Sequence, residues 1–165
     1  MLIETSRLIL RPFTLNDANE YYNLVQDMLI RKYAPFSYLD TLNETKITIE
    51  ESYSKSDFMH DFYLLIIEKE SGNIIGAILI TQNPHAKYFD SCYFIGEKYR
   101  RKGYMKEALE AFLYNFPFTN KTLMFFINST NTVSLNFIKS ITGIKQVYPD
   151  VIVKQGRYKK FAYST

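Results

Sequence analysis

The chain has 165 residues, a hydrophobic fraction of 47% and a formal net charge of +3 at pH 7. This length and composition allow one domain with a substantial core, and they argue against intrinsic disorder. The mild charge and the lack of a long basic run argue against a nucleic-acid partner. No apolar run approaches the roughly 20 residues that cross a bilayer, and the first residues lack a signal-peptide pattern. We therefore expect a soluble, cytoplasmic protein with no membrane partner.

The first half of the chain alternates between strand-like and helix-like patterns. In chain order, the sequence predicts a strand at 8–13, a helix across 18–25, a loop at 30–41 and a polar helix at 43–54. Pro12 places the strand at a sheet edge or near a strand end, and Thr14 or Asn16 can cap the first helix. The loop is predicted because Pro35 and Ser37 interrupt the pattern.

The second half contains more strands. The sequence predicts strands at 62–68, 74–81, 88–95, 123–127, 147–154 and 158–163, and helices at 104–115 and 131–141. Gly72 lies between the first two of these strands and predicts a β-hairpin. The mixed order indicates an α/β or α+β fold with a largely antiparallel sheet and one strand–loop–helix crossover. We predict a single domain across residues 1–165.

The most informative segment joins a strand to a helix through a basic turn, at residues 93–109. Helix N-termini leave amides unpaired and attract anions. Gly103 allows close backbone approach, and the side chains of Arg100, Arg101 and Lys102 add positive charge. The segment therefore predicts a phosphate site, with a solvated basic turn as the alternative reading of the same pattern.

This loop resembles the central motif of the GNAT superfamily of N-acetyltransferases, Arg/Gln-x-x-Gly-x-Gly/Ala. Arg100, Gly103 and Met105 match it, although the motif prefers Gly or Ala where Met105 stands. The opening block at residues 5–13 and the later Asn-x-x-Ser block at 131–134 are similar to the Rim-type branch, named for ribosomal-protein N-terminal acetyltransferases. The chain departs from the family pattern after the helix at 131–141, where Gly143-Ile144 replaces the family's Gly-Phe.

The resemblance implies a GNAT fold: a central twisted, mixed and mostly antiparallel sheet of about six or seven strands with about four helices. It implies that the strands at 88–95 and 122–128 splay apart at the site of acetyl-CoA, which serves as co-substrate. The cofactor-binding residues implied by the match are Phe94, Ile95, Gly96, Arg100, Arg101, Lys102, Gly103, Tyr104, Met105, Lys106, Asn131 and Ser134. The family often forms dimers, so a homodimer is among the expected assemblies.

Acetyl transfer requires a proton acceptor for the amine and benefits from a donor for the departing thiolate. Asp90 is the candidate base, with a solvated strand-end carboxylate or a water chain as alternatives. Ser134 is the candidate donor, with a polar residue in a helix first turn as its alternative. Many GNAT enzymes use a Tyr on that helix, but Phe137 and Ile138 occupy the region here.

Other reactive side chains suggest no further chemistry. Cys92 is predicted to be a small buried side chain rather than a nucleophile. His60 and His85 are predicted in loops, and the spacing of ligand-type residues predicts no metal site. The acceptor pocket is expected near residues 30–60 and the tail, where its aromatic candidates are Tyr33, Phe36, Tyr38 and Phe58.

Three functions fit these patterns. The resemblance favours transfer of acetyl from acetyl-CoA to a protein N-terminal α-amine of the ribosomal-protein type. The first alternative is an acetyltransferase for a small amine such as a polyamine, an amino acid or an antibiotic. The second is a non-catalytic acetyl-CoA-binding module.

Overall fold

The computed structural model of the protein describes residues 1–55, 61–82 and 85–164, with the side chains of 36 and 53–55 also outside the description. Its strands are β1 (Ile3–Glu4), β2 (Leu8–Pro12), β3 (Asp61–Glu68), β4 (Ile74–Gln82), β5 (Tyr88–Ile95), β6 (Thr122–Asn128), β7 (Lys145–Val153) and β8 (Gly156–Ser164). Its helices are α1 (Ala18–Val25), α2 (Met28–Tyr33), α3 (Leu42–Lys55), α4 (Tyr104–Tyr114) and α5 (Thr132–Lys139). None of the helices in the described ranges has the length and apolar character needed to cross a membrane.

The strands form one sheet in the order β1-β2-β3-β4-β5-β6-β8-β7. The pair β5–β6 is parallel, and every other neighbouring pair is antiparallel. The parallel pair needs a crossover, which α4 supplies. The predicted β3–β4 hairpin and the mixed, mostly antiparallel sheet are confirmed. The sheet has eight strands rather than six or seven because β1 adds a two-residue strand, too short to leave a pattern in the sequence.

The predicted loop at 30–41 is wrong, because α2 and a 3₁₀ turn at Pro35–Ser37 occupy part of it. Asp27 explains the difference. Its Oδ1 accepts hydrogen bonds from the amides of Leu29 at 2.8 Å and Ile30 at 3.3 Å, so it caps the helix N-terminus. The prediction considered the residues that interrupt the segment and missed the cap in front of it.

Two hydrophobic layers cover the sheet. On one face, Phe112 of α4 and Ile138 of α5 pack in the same core as Phe89 of β5. On the other face, Val25 of α1 and Ile49 of α3 pack in the same core as Phe94. Because successive strand residues point to opposite faces, β5 presents odd-numbered side chains to the α4–α5 face and even-numbered ones to the α1–α3 face.

The first turn of α4 is fixed to the N-terminal segment by Glu107. Its Oε1 accepts hydrogen bonds from the hydroxyls of Thr5 at 2.5 Å and Ser6 at 3.1 Å and from the Arg7 amide at 3.0 Å. Its Oε2 lies 2.7 Å from the Arg7 guanidinium. Burial alone would raise the pKa of Glu107, but these hydrogen bonds lower it to about 2.

We expect Glu107→Gln to lower the free energy of unfolding near neutral pH by about 1–2 kcal/mol, after allowance for solvent screening. A carboxylate whose folded-state pKa is depressed stabilises fully above its unfolded pKa and loses the effect as the pH falls toward the folded value. In urea unfolding, the difference in unfolding free energy between wild type and Glu107→Gln should therefore decrease as the pH falls from 4.5, the ordinary pKa, to about 2.

The matched control is Glu110→Gln, one turn further along α4, where the carboxylate lies 3.9 Å from Lys106 and is largely exposed. This variant should change the free energy of unfolding by less than about 0.5 kcal/mol at every pH. If the difference in unfolding free energy between wild type and Glu107→Gln stays constant from neutral to acid pH, the stabilising role of the Glu107 carboxylate is contradicted.

Candidate active site

The sheet opens where β5 and β6 part. Their parallel pairing runs from Tyr88↔Thr122 to Ser91↔Phe125 and stops there, although both strands continue. On its other edge β6 stays paired with β8 as far as Asn128. The β5 backbone at residues 92–95 therefore faces an opening, here called the β5–β6 gap, rather than a neighbouring strand. The expected splaying of these two strands is confirmed.

A cavity of about 1340 Å³ lies at this gap. Its wall combines residues of β5, the basic loop, α4, β6 and α5 with residues of α2 and α3. Of the predicted site residues, those that line it are Asp90, Phe94, Ile95, Arg100, Arg101, Gly103, Tyr104, Met105, Lys106, Asn131 and Ser134. The structure therefore brings together residues that are separated by more than forty positions in the chain.

Two predicted residues, Gly96 and Lys102, do not line the cavity. The Gly96 amide donates to the Ile75 carbonyl at 2.9 Å, and a Cβ at Gly96 would come within 2.5 Å of the Leu24 side chain. Gly96 therefore allows the chain to pass close to α1. The Lys102 ammonium lies 5.5 Å from the centre of the Tyr99 ring. These positions shape the loop from outside the cavity wall.

The backbone N–H groups of residues 101–106, here called the amide cradle, are available to a ligand. No acceptor for any of them occurs within the parts of the chain that the structure describes. The first bond into α4 is the one from the Glu107 amide to the Gly103 carbonyl, at 3.1 Å. Arg101 and Gly103 have φ values of +62° and +80°, so the chain turns sharply before the helix begins. The loop thus presents several amides and a helix N-terminus together.

The Arg100 side chain is engaged within the protein. Its Nε donates to the Ile95 carbonyl at 3.1 Å, and its guanidinium is ion-paired with Asp27 Oδ2 at 2.5 Å. The same carboxylate oxygen accepts from the Glu97 amide at 3.1 Å. Arg100 therefore ties the basic loop to the end of β5 and to α2. In this arrangement the free cationic side chain at the cavity is that of Arg101, which has no ion pair within the described ranges.

Asp27 is a site-forming residue that the sequence analysis missed. It caps α2 with one oxygen and holds the basic loop with the other. Burial alone would raise the pKa of Asp27, but hydrogen bonds from Arg100 and from the Leu29 amide hold it below its ordinary value. The available signal was an Asp directly before the apolar run that begins at Met28, which is a helix-start pattern.

Contacts on the other side of the loop involve Arg7. Its Nη1 donates to the Lys102 carbonyl at 3.0 Å, and its guanidinium lies 4.5 Å from the centre of the Tyr104 ring. The Tyr104 hydroxyl donates in turn to the carboxylate of Glu68 in β3. Arg7 thus holds the loop at Lys102, and Asp27 holds it at Glu97 and Arg100.

Asp90 lies on the α1–α3 face of the opening. It is half-buried in β5, in register with Thr81 of β4 and Met124 of β6, and it lines the cavity. Cys92 is the next β5 residue on this face, and burial raises the pKa of its thiol to about 12. Cys92 is half-buried and lines the cavity, so the prediction of a buried side chain is not confirmed. A thiol that stays protonated at neutral pH is a poor nucleophile, in line with the prediction that Cys92 is not one.

Ser134 lies on the other face, in the first turn of α5. Asn131 caps this helix, and its Oδ1 accepts from the Ser134 amide at 3.1 Å. The Ser134 hydroxyl is 2.8 Å from the hydroxyl of Tyr93, which points to the same face from β5. The sequence analysis looked for a phenol on α5 and missed the one on β5. Phe137 lines the cavity, whereas Ile138 is fully buried in the core.

Tyr33 lines the cavity from α2, whereas the ring of Tyr38 lies 4.5 Å from the Arg31 guanidinium. Phe58, His60 and the Phe36 side chain lie outside the described residues. Within the described part of the chain, no group of His, Cys, Asp and Glu side chains has the arrangement of a metal site.

The comparisons with known proteins agree with this arrangement. Residues 7–142 match the acetyltransferase (GNAT) domain family. No curated protein sequence matches the chain. Three solved structures illustrate the similarity of fold. The acetyltransferase (GNAT family) from Bacillus anthracis is 18% identical with a TM-score of 0.76, and the match covers 99% of this chain and 96% of that one.

The ribosomal L7/L12 α-N-protein acetyltransferase in complex with coenzyme A is 13% identical, with a TM-score of 0.80 and coverage of 99% and 96%. A chimeric spermidine N-acetyltransferase from Vibrio cholerae and hSSAT is 12% identical, with a TM-score of 0.79 and coverage of 96% of both chains. Identities this low support the fold alone, whereas the family match extends over most of the chain. On the strength of this family match, the chain belongs to the GNAT acetyltransferase family, and its sheet opens beside the amide cradle.

Proposed function

We propose that the protein transfers the acetyl group of acetyl-CoA to a primary amine, with a protein N-terminal α-amine as the leading acceptor class. The observation that carries the cofactor assignment is the amide cradle, because no described residue accepts from its N–H groups. A pyrophosphate is the part of acetyl-CoA that needs many such donors in one place. The fit is chemical as well as geometric, since Arg101 and Lys106 line the same wall.

The proposed path of the co-substrate follows the cavity wall. The pyrophosphate lies on the amide cradle, and the pantetheine arm follows the β5 edge from Phe94 to Gly96. Its thioester then lies near Asn131 and Ser134. An extended chain with amide groups can use the free edge of a strand, because β5 has no β6 partner beyond Ser91. Arg100 supports this path by fixing the Ile95 carbonyl and the loop rather than by contacting phosphate.

The chemical step needs a neutral amine, a positioned carbonyl and a route for the amine's proton. Asp90 lies on the α1–α3 face and Ser134 on the α5 face, so base and donor approach the gap from opposite sides. In this proposal Asp90 accepts the amine's proton, directly or through water. The Ile95 amide, beyond the end of the β5–β6 pairing, polarises the thioester carbonyl. Holding the reactants together supplies much of the rate.

A small polycationic amine is the second acceptor class. The cavity wall on the α1–α3 side carries the carboxylates of Glu51 and Asp90 among aromatic side chains such as Tyr21 and Tyr63. Negative charge beside aromatic rings suits a cationic amine. The similar solved structures also represent both acceptor classes: one is named as a ribosomal-protein acetyltransferase and another as a spermidine acetyltransferase. A cytoplasmic location fits either acceptor.

The cradle is tested by reversing the charge at Arg101. We expect Arg101→Glu to weaken acetyl-CoA binding by about 10- to 100-fold in calorimetry, because a carboxylate would face the pyrophosphate. Arg101→Gly should weaken binding less, since Gly adopts the positive φ of this position and leaves the amides in place. Higher salt should reduce the difference between these variants.

The matched control is Lys98→Glu, which makes the same charge change at an exposed position outside the cavity wall. Its affinity for acetyl-CoA should stay within about threefold of wild type. Equal losses in Arg101→Glu and Lys98→Glu would show that general charge, rather than the cradle, governs binding.

The acceptor class is tested by incubating the protein and acetyl-CoA with a panel of amines. The panel contains peptides with N-terminal Ala or Ser, spermidine and an aminoglycoside, and free thiol release is measured. We expect the peptides to react fastest. Preference for spermidine would replace the leading acceptor class with the second, and no thiol release from any amine would favour a binding module over an enzyme.

The base is tested with the best amine from this panel. We expect Asp90→Asn to lower kcat by about 100-fold with acetyl-CoA affinity unchanged, because the general base is lost but the cradle is intact. The control is Thr81→Ser, at the β4 residue paired with Asp90, which shows the effect of a small change to the sheet at this position. If Asp90→Asn retains the wild-type kcat, then Asp90 is not the base.

A further inference from the structure

Two hydroxyl groups meet at the β5–β6 gap. Tyr93 Oη and Ser134 Oγ are 2.8 Å apart, and either can donate to the other. Tyr93 stands two positions beyond the last residue of β5 that pairs with β6. Ser134 is held at the start of α5 by the Asn131 cap. Both residues line the cavity, so the pair is part of its wall.

The Tyr93 ring is fixed by aromatic contacts. The Phe137 ring lies edge-on at 5.2 Å between centroids, and the Phe125 ring lies at 6.0 Å. Phe125 is itself fully buried in the core. With the ring held between β6 and α5, the phenol is directed toward Ser134. In the described parts of the chain, Ser134 is the hydrogen-bond partner found for this phenol.

The acidities of the two groups set the direction of donation. A phenol is a far stronger acid than an aliphatic hydroxyl, so the favoured arrangement has Tyr93 donating and Ser134 accepting. The Ser134 hydrogen is then free to point into the cavity. Burial raises the pKa of the Tyr93 phenol above its ordinary value, despite the opposing effect of Ser134, so the phenol keeps its proton.

The surroundings of Tyr93 contain few groups that could disturb this state. Ile78 stands opposite it in β4, and Phe125 and Phe137 face it from β6 and α5. None of these three titrates. The titratable neighbour that acts on Tyr93 is Cys92, whose thiol stays protonated because burial raises its pKa to about 12.

We propose that Tyr93 is a positioning residue for acetyl transfer: it turns the Ser134 hydroxyl hydrogen toward the thioester sulfur and replaces that proton when the thiolate leaves. This inference rests on the function proposed above. As the C–S bond breaks, its electron pair stays on sulfur, which takes the Ser134 proton. Ser134 Oγ takes the phenolic proton, and water in the cavity returns a proton to Tyr93. The amine's proton leaves through Asp90, so one proton passes from amine to thiol overall.

The test needs no acceptor amine. Coenzyme A carrying ¹³C at the carbon next to sulfur is bound to the protein, and the thiol is titrated by NMR. A hydrogen bond donated to a thiolate lowers the thiol pKa. We therefore expect the bound thiol pKa to be about one unit higher in Ser134→Ala than in wild type, a tenfold change in the ionisation equilibrium. Tyr93→Phe should raise it by about half a unit or more, because Ser134 remains but loses its orienting donor.

Two further variants distinguish the orienting effect of Tyr93 on the Ser134 hydroxyl from a general disturbance of the structure. Ser134→Thr keeps a hydroxyl and should keep the wild-type thiol pKa. Tyr22→Phe removes a phenol that is not part of the described wall and whose weak 3.4 Å bond to the Asp40 carbonyl is exposed, so it should also leave the thiol pKa unchanged. The change in Tyr93→Phe should come without a change in coenzyme A affinity greater than about threefold.

The outcomes are distinct. If coenzyme A does not bind wild type, the proposed function fails and this inference fails with it. If coenzyme A binds but its thiol has the same pKa in wild type, Tyr93→Phe and Ser134→Ala, the proposed function stands and the role of Tyr93 is overturned. With a reactive amine, kcat should fall in Tyr93→Phe and Ser134→Ala, and the double variant should lose little more than either alone.

Discussion

The structure depends on one break in hydrogen bonding: β5 and β6 stop pairing after Ser91↔Phe125 while each continues along its other edge. Unpaired backbone groups in a protein interior are costly unless a ligand or water satisfies them. The break is stable because β4 holds β5, β8 holds β6, and the Tyr93 ring of β5 packs on Phe137 of α5 beside it. The unpaired part of the β5 edge, in the interior of the sheet, is thereby kept for a ligand.

The basic loop next to this break keeps its amides free because charged side chains satisfy the rest of it. Asp27 accepts hydrogen bonds from the Glu97 amide and from Arg100. Glu107 accepts hydrogen bonds from residues 5–7. Arg7 in turn holds the Lys102 carbonyl. These two half-buried carboxylates form ion pairs with Arg100 and Arg7 and so compensate the positive charge at the loop. The loop is therefore ordered before a ligand arrives, which reduces the entropy lost on binding.

Much of the fold could be predicted from local patterns. The bounds of β5 at 88–95 and the start of α4 at 104 agree with the sequence prediction, because an aromatic-rich strand pattern and the helical spacing of apolar residues are local signals. The basic loop was predicted for the same reason, since its residues are consecutive. The cap that Asp27 forms on α2 had a local signal, but its bond to Arg100 and the bond of Tyr93 to Ser134 arise from contacts 73 and 41 positions away in the chain. Such contacts depend on which strands meet, and no local pattern carries that information.

The most direct measurement of the central claim is a ¹H–¹⁵N NMR titration of the protein with coenzyme A. The account predicts that the amide resonances of residues 101–106 move most, and that they move downfield because the N–H groups acquire phosphate acceptors. The amides of Gly96 and Glu97, already bonded to Ile75 and Asp27, should move less. Binding that leaves residues 101–106 unmoved while other amides shift would contradict the account.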